Sequence, residues 1–246
     1  MNQRIDVLQE IEENLPFGVA QAAGAASRAP VANGHGRHLA NDEAYRLVHQ
    51  VFLPQTEQSP TVVSFAAIDH GNGCSHICAS VAEILAGDPL RSVCLVEANF
   101  RSPDVSGLFG EVNSCGLAEA LTRRAPIRSF LSSTHAARNL WLLPCGTLGP
   151  DASSLFASGS LRERMAELRA EFDFVIVDTP PLTRYADAIA LGQLADGLIL
   201  IVEAGVTRRD ETARAVATLR ASKIEILAAV LNKGISPIPE KLYKRL

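Results

Sequence analysis

No stretch of this sequence stays apolar for the roughly 18–20 residues that a bilayer-spanning helix requires. The opening MNQRIDVLQEIEENL is acidic where a secretory leader would be apolar. Together these absences predict a protein of the cytoplasm. A basic excess is missing too: 23 Lys and Arg stand against 27 Asp and Glu, a formal net charge of −4, so nucleic acid is not an expected partner. Cysteines are few and odd in number, five residues at positions 74, 78, 94, 115 and 145. Cys94 falls inside an apolar run that reads as a buried strand, so the five read as reduced thiols and not as a disulfide framework. No internal repeat is visible.

What is present is organised around residues 61–86, TVVSFAAIDHGNGCSHICASVAEILA. The run Val62 to Ile68 is apolar and β-leaning, a buried strand. His70-Gly71-Asn72-Gly73-Cys74-Ser75 follows as a glycine turn, and Ile77, Val81, Ile84 and Leu85 then repeat at helical spacing. Strand, glycine turn and helix start are the setting of a phosphate-binding loop, because glycines admit the phosphate close to the backbone and free N–H groups point at it. A Walker loop of this kind ends G-K-[ST], with the lysine on the terminal phosphates and the hydroxyl on Mg²⁺. Here the segment is Gly73-Cys74-Ser75. The hydroxyl stands and the lysine does not. Losing one charge-assisted contact costs on the order of 1.5–3 kcal/mol in binding. At a helix N-terminus the Cys74 pKa is expected to fall, and a thiolate there would repel an anion.

At 246 residues the default is one large α/β domain with appendages. Residues 1–40 read as an N-terminal amphipathic helix (3–15, with Ile5, Leu8, Ile11 and Leu15 on one side) and a flexible linker from about residue 20. That helix either packs on its own domain or docks a partner. Residues 41–246 read as the P-loop NTPase-like domain. It opens with a helix from Asn41 to about Phe52, followed by the central strand. Strands are expected at 91–97, 140–143, 174–178, 197–203 and 224–231, and helices at 114–122, 153–171 and 208–221. In the second of these helices Leu161, Met165 and Leu168 point inward, with Arg162, Glu163 and Arg164 exposed. Alternating strands and helices imply a doubly wound α/β fold, a mostly parallel sheet of about seven strands with helices on both faces. Ligands bind at the carboxyl ends of such strands, so Glu97, Asn99 and Asp178 should lie near the glycine turn. Phe174-Val-Ile-Val-Asp178 is a Walker B pattern, whose carboxylate holds Mg²⁺ directly or through water.

These motifs together resemble the bacterial tyrosine-kinase family of capsule and exopolysaccharide systems, deviant-Walker P-loop ATPases related to the septum-site and plasmid-partition ATPases. The similarity runs from about Glu43 to Leu246. Glu43-Ala-Tyr-Arg46-Leu-Val-His49 resembles the family's E-x-x-R-x-x-R self-association helix, with His49 for the last arginine. Glu97-x-Asn99-x-Arg101 stands where the family has D-x-D-x-R, and Val175-Ile-Val-Asp178-Thr-Pro180-Pro181 matches its Walker B unchanged. Asp187-Ala188 and Val230-Leu231-Asn232-Lys233 match further positions. The resemblance implies that Glu97 and Asp178 are catalytic, and that Gly71, Asn72, Gly73, Cys74, Ser75, His76 and Asn232 bind ATP or ADP, Asn232 at adenine. It implies Mg²⁺ on Ser75 and Asp178, and self-association through Glu43 and Arg46. It also implies a membrane-embedded polysaccharide co-polymerase or export protein as partner, which would hold the chain at the inner face of the membrane.

The departures are Cys74 for Lys, His76 for Thr, Glu97 and Asn99 for two Asp, and no Tyr-rich tail, only Tyr243. An Asn has no basic site to take a tyrosine proton. Three readings follow: a catalytically impaired scaffold or regulator; an active autokinase or ATPase in which Arg101, Arg184, Arg208 or Arg209 replaces the lysine; and a redox or metal site of Cys74, His76 and Cys78, poor for zinc without a fourth ligand.

Overall fold

The computed structural model describes residues 20–23, 44–53, 59–111, 115–147 and 159–234. The expected helix at 3–15, Glu43 and Tyr243 lie outside them. In chain order the described residues form β1 (Ala20–Ala23) and helix α1 (44–51), then β2 (Val62–Ala67), α2 (Cys74–Leu85), β3 (Val93–Glu97) and α3 (Val105–Leu108). There follow α4 (Leu117–Thr122), the two-residue β4 (Ser132–Ser133), β5 (Leu140–Leu143), α5 (Gly159–Glu171) and β6 (Phe174–Asp178). The domain closes with α6 (Asp187–Gly192), β7 (Gly197–Glu203), α7 (Arg209–Ala221) and β8 (Ile226–Gly234).

The strands form one sheet in the order β1-β8-β7-β2-β6-β3-β5-β4, parallel throughout except at the β4 edge. The doubly wound α/β expectation is therefore met, with eight strands among the described residues where about seven were expected. The additional pairing comes from inside the stretch read as linker: Ala20 to Ala23 runs parallel to β8. Its small residues carry no strand signature, and it is the open edge of β8 that gives them a ladder to complete.

Alternation along the strands sorts the core into two layers. Val63, Phe65 and Ala67 of β2 pack with α1 (Leu47, Val48, Val51) and α2 (Cys78, Val81, Ala82, Leu85) on one face. On the other face, Val96, Val175 and Val177 meet Leu117, Leu121, Leu161, Met165 and Leu168 of α4 and α5. Beside them Ala66, Leu198, Leu200 and Val202 meet Ala188 of α6 and Ala215 and Leu219 of α7.

The exposed position expected for Arg164 is corrected. Its side chain is buried and donates from Nε to the Ala120 carbonyl at 2.7 Å, from Nη1 to Ala125 at 2.9 Å and from Nη2 to Arg123 at 2.5 Å. The guanidinium satisfies carbonyls at the end of α4 that have no intrahelical donor, and Glu167 balances its charge at 2.8 Å. Among the described residues, no helix is long and apolar enough to cross a membrane.

Candidate functional site

β2 lies between β7 and β6, and the chain leaves its carboxyl end through the glycine turn. Gly71 and Gly73 take φ of +81° and +85°, a left-handed backbone that suits glycine. At Gly73 space decides as well: a Cβ there would stand 2.4 Å from the Asn232 amide nitrogen. The turn is tied from both flanks. The Asp69 N–H donates to Asn72 Oδ1 at 2.8 Å, while Asn72 Nδ2 donates to Glu203 Oε2 at 2.9 Å. From β8, Asn232 Nδ2 donates to the Asn72 carbonyl at 2.7 Å and Lys233 Nζ to the Gly71 carbonyl at 2.6 Å. Lys233 also pairs with Glu203 at 3.2 Å. Asn232, expected at adenine, here holds the loop itself.

Below the turn, Ser75 Oγ donates to Asp178 Oδ2 at 2.7 Å. The register explains the meeting, since Asp178 ends β6 directly opposite Phe65 of β2 and Glu97 of β3. Asp178 is fully buried. Burial pushes its carboxyl up to about 7, against the hydrogen bonds from Ser75 and Cys74, and the neighbouring Glu97 and Asp104 push the same way. The donors it receives are neutral: the Ser75 hydroxyl and the Cys74 and Cys78 thiols, Cys78 Sγ at 3.8 Å from Oδ1.

Cys74 is buried against the core and not presented above the loop. The expected fall in its pKa is corrected. A hydrogen bond from Cys78 favours the thiolate, but burial and the Asp178 carboxylate outweigh it and push the thiol up to about 11. The low dielectric beneath the turn overrides the helix start. Burial raises Cys78 as well. His76, by contrast, is exposed. Positions two apart on a helix do not share a face, so Cys74 and Cys78 meet at i and i+4 while His76 points elsewhere.

Glu97 is fully buried and already engaged. It accepts Ser106 Oγ at 2.6 Å, the Ser106 N–H at 3.1 Å and the Cys145 N–H at 3.2 Å, joining the segments after β3 and β5. Asn99 accepts the Ser102 N–H at 3.3 Å. Of the arginines weighed as replacements, Arg184 pairs with Asp69 at 2.9 Å, Arg101 lies 3.7 Å from Asp187 and over the Tyr185 ring, and Arg208 lies 3.3 Å from Asp210. Arg46 lies on the exposed side of α1, whose other side carries Leu47 and Val48 into the core.

Sequence reasoning missed the Glu203–Lys233 pair that ties the loop and the approach of Cys78 to Asp178. Glu203 ends a strand as Asp178 does, so the rule that located one would have located the other. Cys78 carried a signal only in its i, i+4 spacing from Cys74.

The chain is 29% identical over 193 residues to the tyrosine-protein kinase YwqD of Bacillus subtilis, covering 78% of this chain and 81% of that protein. Its fold matches the kinase domain of the Escherichia coli tyrosine kinase ETK with a TM-score of 0.81 at 19% identity, over 94% of this chain and 95% of that one. The relatives that the chain resembles in sequence are tyrosine-protein kinases, and its fold is that of the kinase domains among its structural neighbours. The fold also matches the MinC:MinD cell division complex of Aquifex aeolicus, at a TM-score of 0.58 and 18% identity over 75% of this chain and 72% of that one. No family model matches the sequence.

Whether the residues present suit Mg²⁺-nucleotide divides along the loop. The left-handed glycines and the Ser75–Asp178 pair fit the metal side of such a site. The lysine position does not, because a neutral, buried thiol stands there.

Proposed function

We propose that this chain is a member of the bacterial tyrosine-kinase family and a catalytically impaired regulator or scaffold of capsule or exopolysaccharide assembly, acting in the cytoplasm against a membrane-embedded polysaccharide co-polymerase or export protein. The observation that carries this reading is Cys74. The residue that should set a cation on the terminal phosphates is instead a protonated thiol turned into the core. The exposed Arg46 side of α1 supports self-association.

In this reading the turn receives a nucleotide through its backbone N–H groups, and Ser75 and Asp178 hold Mg²⁺. Bound Mg²⁺ would neutralise phosphate charge. Asp178 and the Ser75 hydroxyl would be the residues that hold the ion. Glu97 fixes the loops around Asp178 through Ser106 and Cys145 and is a positioning residue. No residue in this set takes a tyrosine proton, and little or no autophosphorylation is expected.

The test compares ATP dissociation constants and turnover in wild type, Cys74→Lys, and Cys74→Lys combined with Glu97→Asp and Asn99→Asp. The single change should tighten binding by about 1.5–3 kcal/mol, roughly ten- to a hundredfold. Turnover should recover mainly in the triple variant, since these groups act as a unit. Wild type turning over ATP as fast as the triple variant would overturn the reading and favour the active autokinase in which an arginine supplies the charge.

A further inference from the structure

The region beneath the turn holds more acid than an apo protein core should. Asp178 is fully buried and its carboxyl meets only neutral donors, with Glu97 and Asp104 acting on it as further negative charge. A carboxylate in such a place is normally paired with a cation or kept protonated. Two thiols face it. Cys74 Sγ, Cys78 Sγ and a carboxylate oxygen of Asp178 all lie within 4.8 Å of one another, and all three residues are buried.

We infer that Cys74, Cys78 and Asp178 form a binding site for a thiophilic divalent cation of the zinc class. Tetrahedral zinc, with bonds of about 2.3 Å to sulfur and about 2.1 Å to oxygen, holds its ligand atoms about 3.6–3.8 Å apart. The 3.8 Å between Cys78 Sγ and Asp178 Oδ1 already meets that spacing. The i, i+4 placement of the thiols on α2 puts both sulfurs on one side of the helix, facing the end of β6. Three protein ligands leave a fourth position open, as in zinc sites that keep a water. The Ser75 hydroxyl lies 2.7 Å from the other carboxylate oxygen. His76, exposed on the same helix turn, is not a ligand.

On binding, each thiol releases its proton to solvent as its sulfur becomes a thiolate ligand, and two thiolates with one carboxylate surround the dication. This site is separate in chemistry from the Mg²⁺ role of Ser75 and Asp178, because Mg²⁺ takes oxygen ligands and leaves thiols alone. It shares Asp178 with that role.

The experiment titrates Cd²⁺ into the reduced, metal-free full-length chain and follows the ultraviolet thiolate-to-cadmium charge-transfer band. We expect saturation at one Cd²⁺ per chain, loss of the band in Cys78→Ser and in Cys74→Ser, and an unchanged band in Cys94→Ser. Asp178→Asn should keep the band but bind about tenfold or more weakly. A band that persists in Cys78→Ser, or no band in wild type, overturns the assignment. Should the serine variants not fold, X-ray absorption on zinc-loaded wild type decides the same question: two sulfurs and lighter ligands in the shell support the site, and a shell without sulfur overturns it. Neither readout depends on nucleotide binding, so its failure is distinct from failure of the regulator reading.

Discussion

Asp178 couples the fold to pH. Its carboxyl is raised from the ordinary 3.8 to about 7 by burial, so between those values the folded chain keeps a proton that the unfolded chain has released. The stability linked to this group is complete below the lower value and is lost as pH rises towards the upper one. Asp178→Asn, which keeps the shape and removes the charge, should therefore melt above wild type by a margin that grows from about pH 4 to about pH 8, amounting to on the order of a few kcal/mol. Thermal melts in metal-free buffer check this. A margin constant across that range would mean that Asp178 is ionised throughout, with a cation beside it. Cys74 belongs to the same arithmetic: with a neutral thiol in the lysine's place, nothing at that position offsets the carboxylate.

At the scale of elements, the turn between β2 and α2 is held by β7 and β8 through Glu203, Asn232 and Lys233. Gly73→Ala meets two obstacles at once, a φ of +85° and a Cβ 2.4 Å from the Asn232 amide. It should destabilise by about 1–3 kcal/mol, read as a lower denaturant midpoint with an unchanged slope. The α4–α5 contact rests on Arg164 in the same sense. Replacing Arg164 with Met leaves the carbonyls of Ala120, Arg123 and Ala125 without their donor. A loss of about 2–4 kcal/mol is expected, and an unchanged midpoint would show that water takes over those bonds.

At the scale of the whole molecule, a ligand that binds only the folded chain raises its melting temperature in proportion to the logarithm of its affinity. At one saturating concentration of Mg²⁺-ADP, Cys74→Lys should gain about 1.4–2.7 kcal/mol more ligand-induced stabilisation than wild type, the equivalent of ten- to a hundredfold tighter binding. Equal shifts in the two proteins would mean that the loop does not admit the phosphate. The parallel sheet makes this readout global, because the turn follows β2, and β2 pairs with both β6 and β7.

The α/β architecture and the P-loop turn were legible in the sequence because each is a local pattern: apolar strand runs, helical spacing, glycines where left-handed backbone is needed. The family signature was legible for the same reason. Tertiary structure alone decided what the polar groups do. Arg164 reads as a surface residue by periodicity and is buried because α4 ends against it. Glu97 occupies a catalytic position in the motif, yet Ser106 at the start of α3 and the Cys145 N–H after β5 take up its oxygens. Residues 20–23 became a strand through the open edge of β8 and not through their composition. The sequence determined that a cation is missing at position 74. That a buried carboxylate and a second thiol stand beside it is a consequence of strand register and helix phase, which bring together groups 100 or more residues apart.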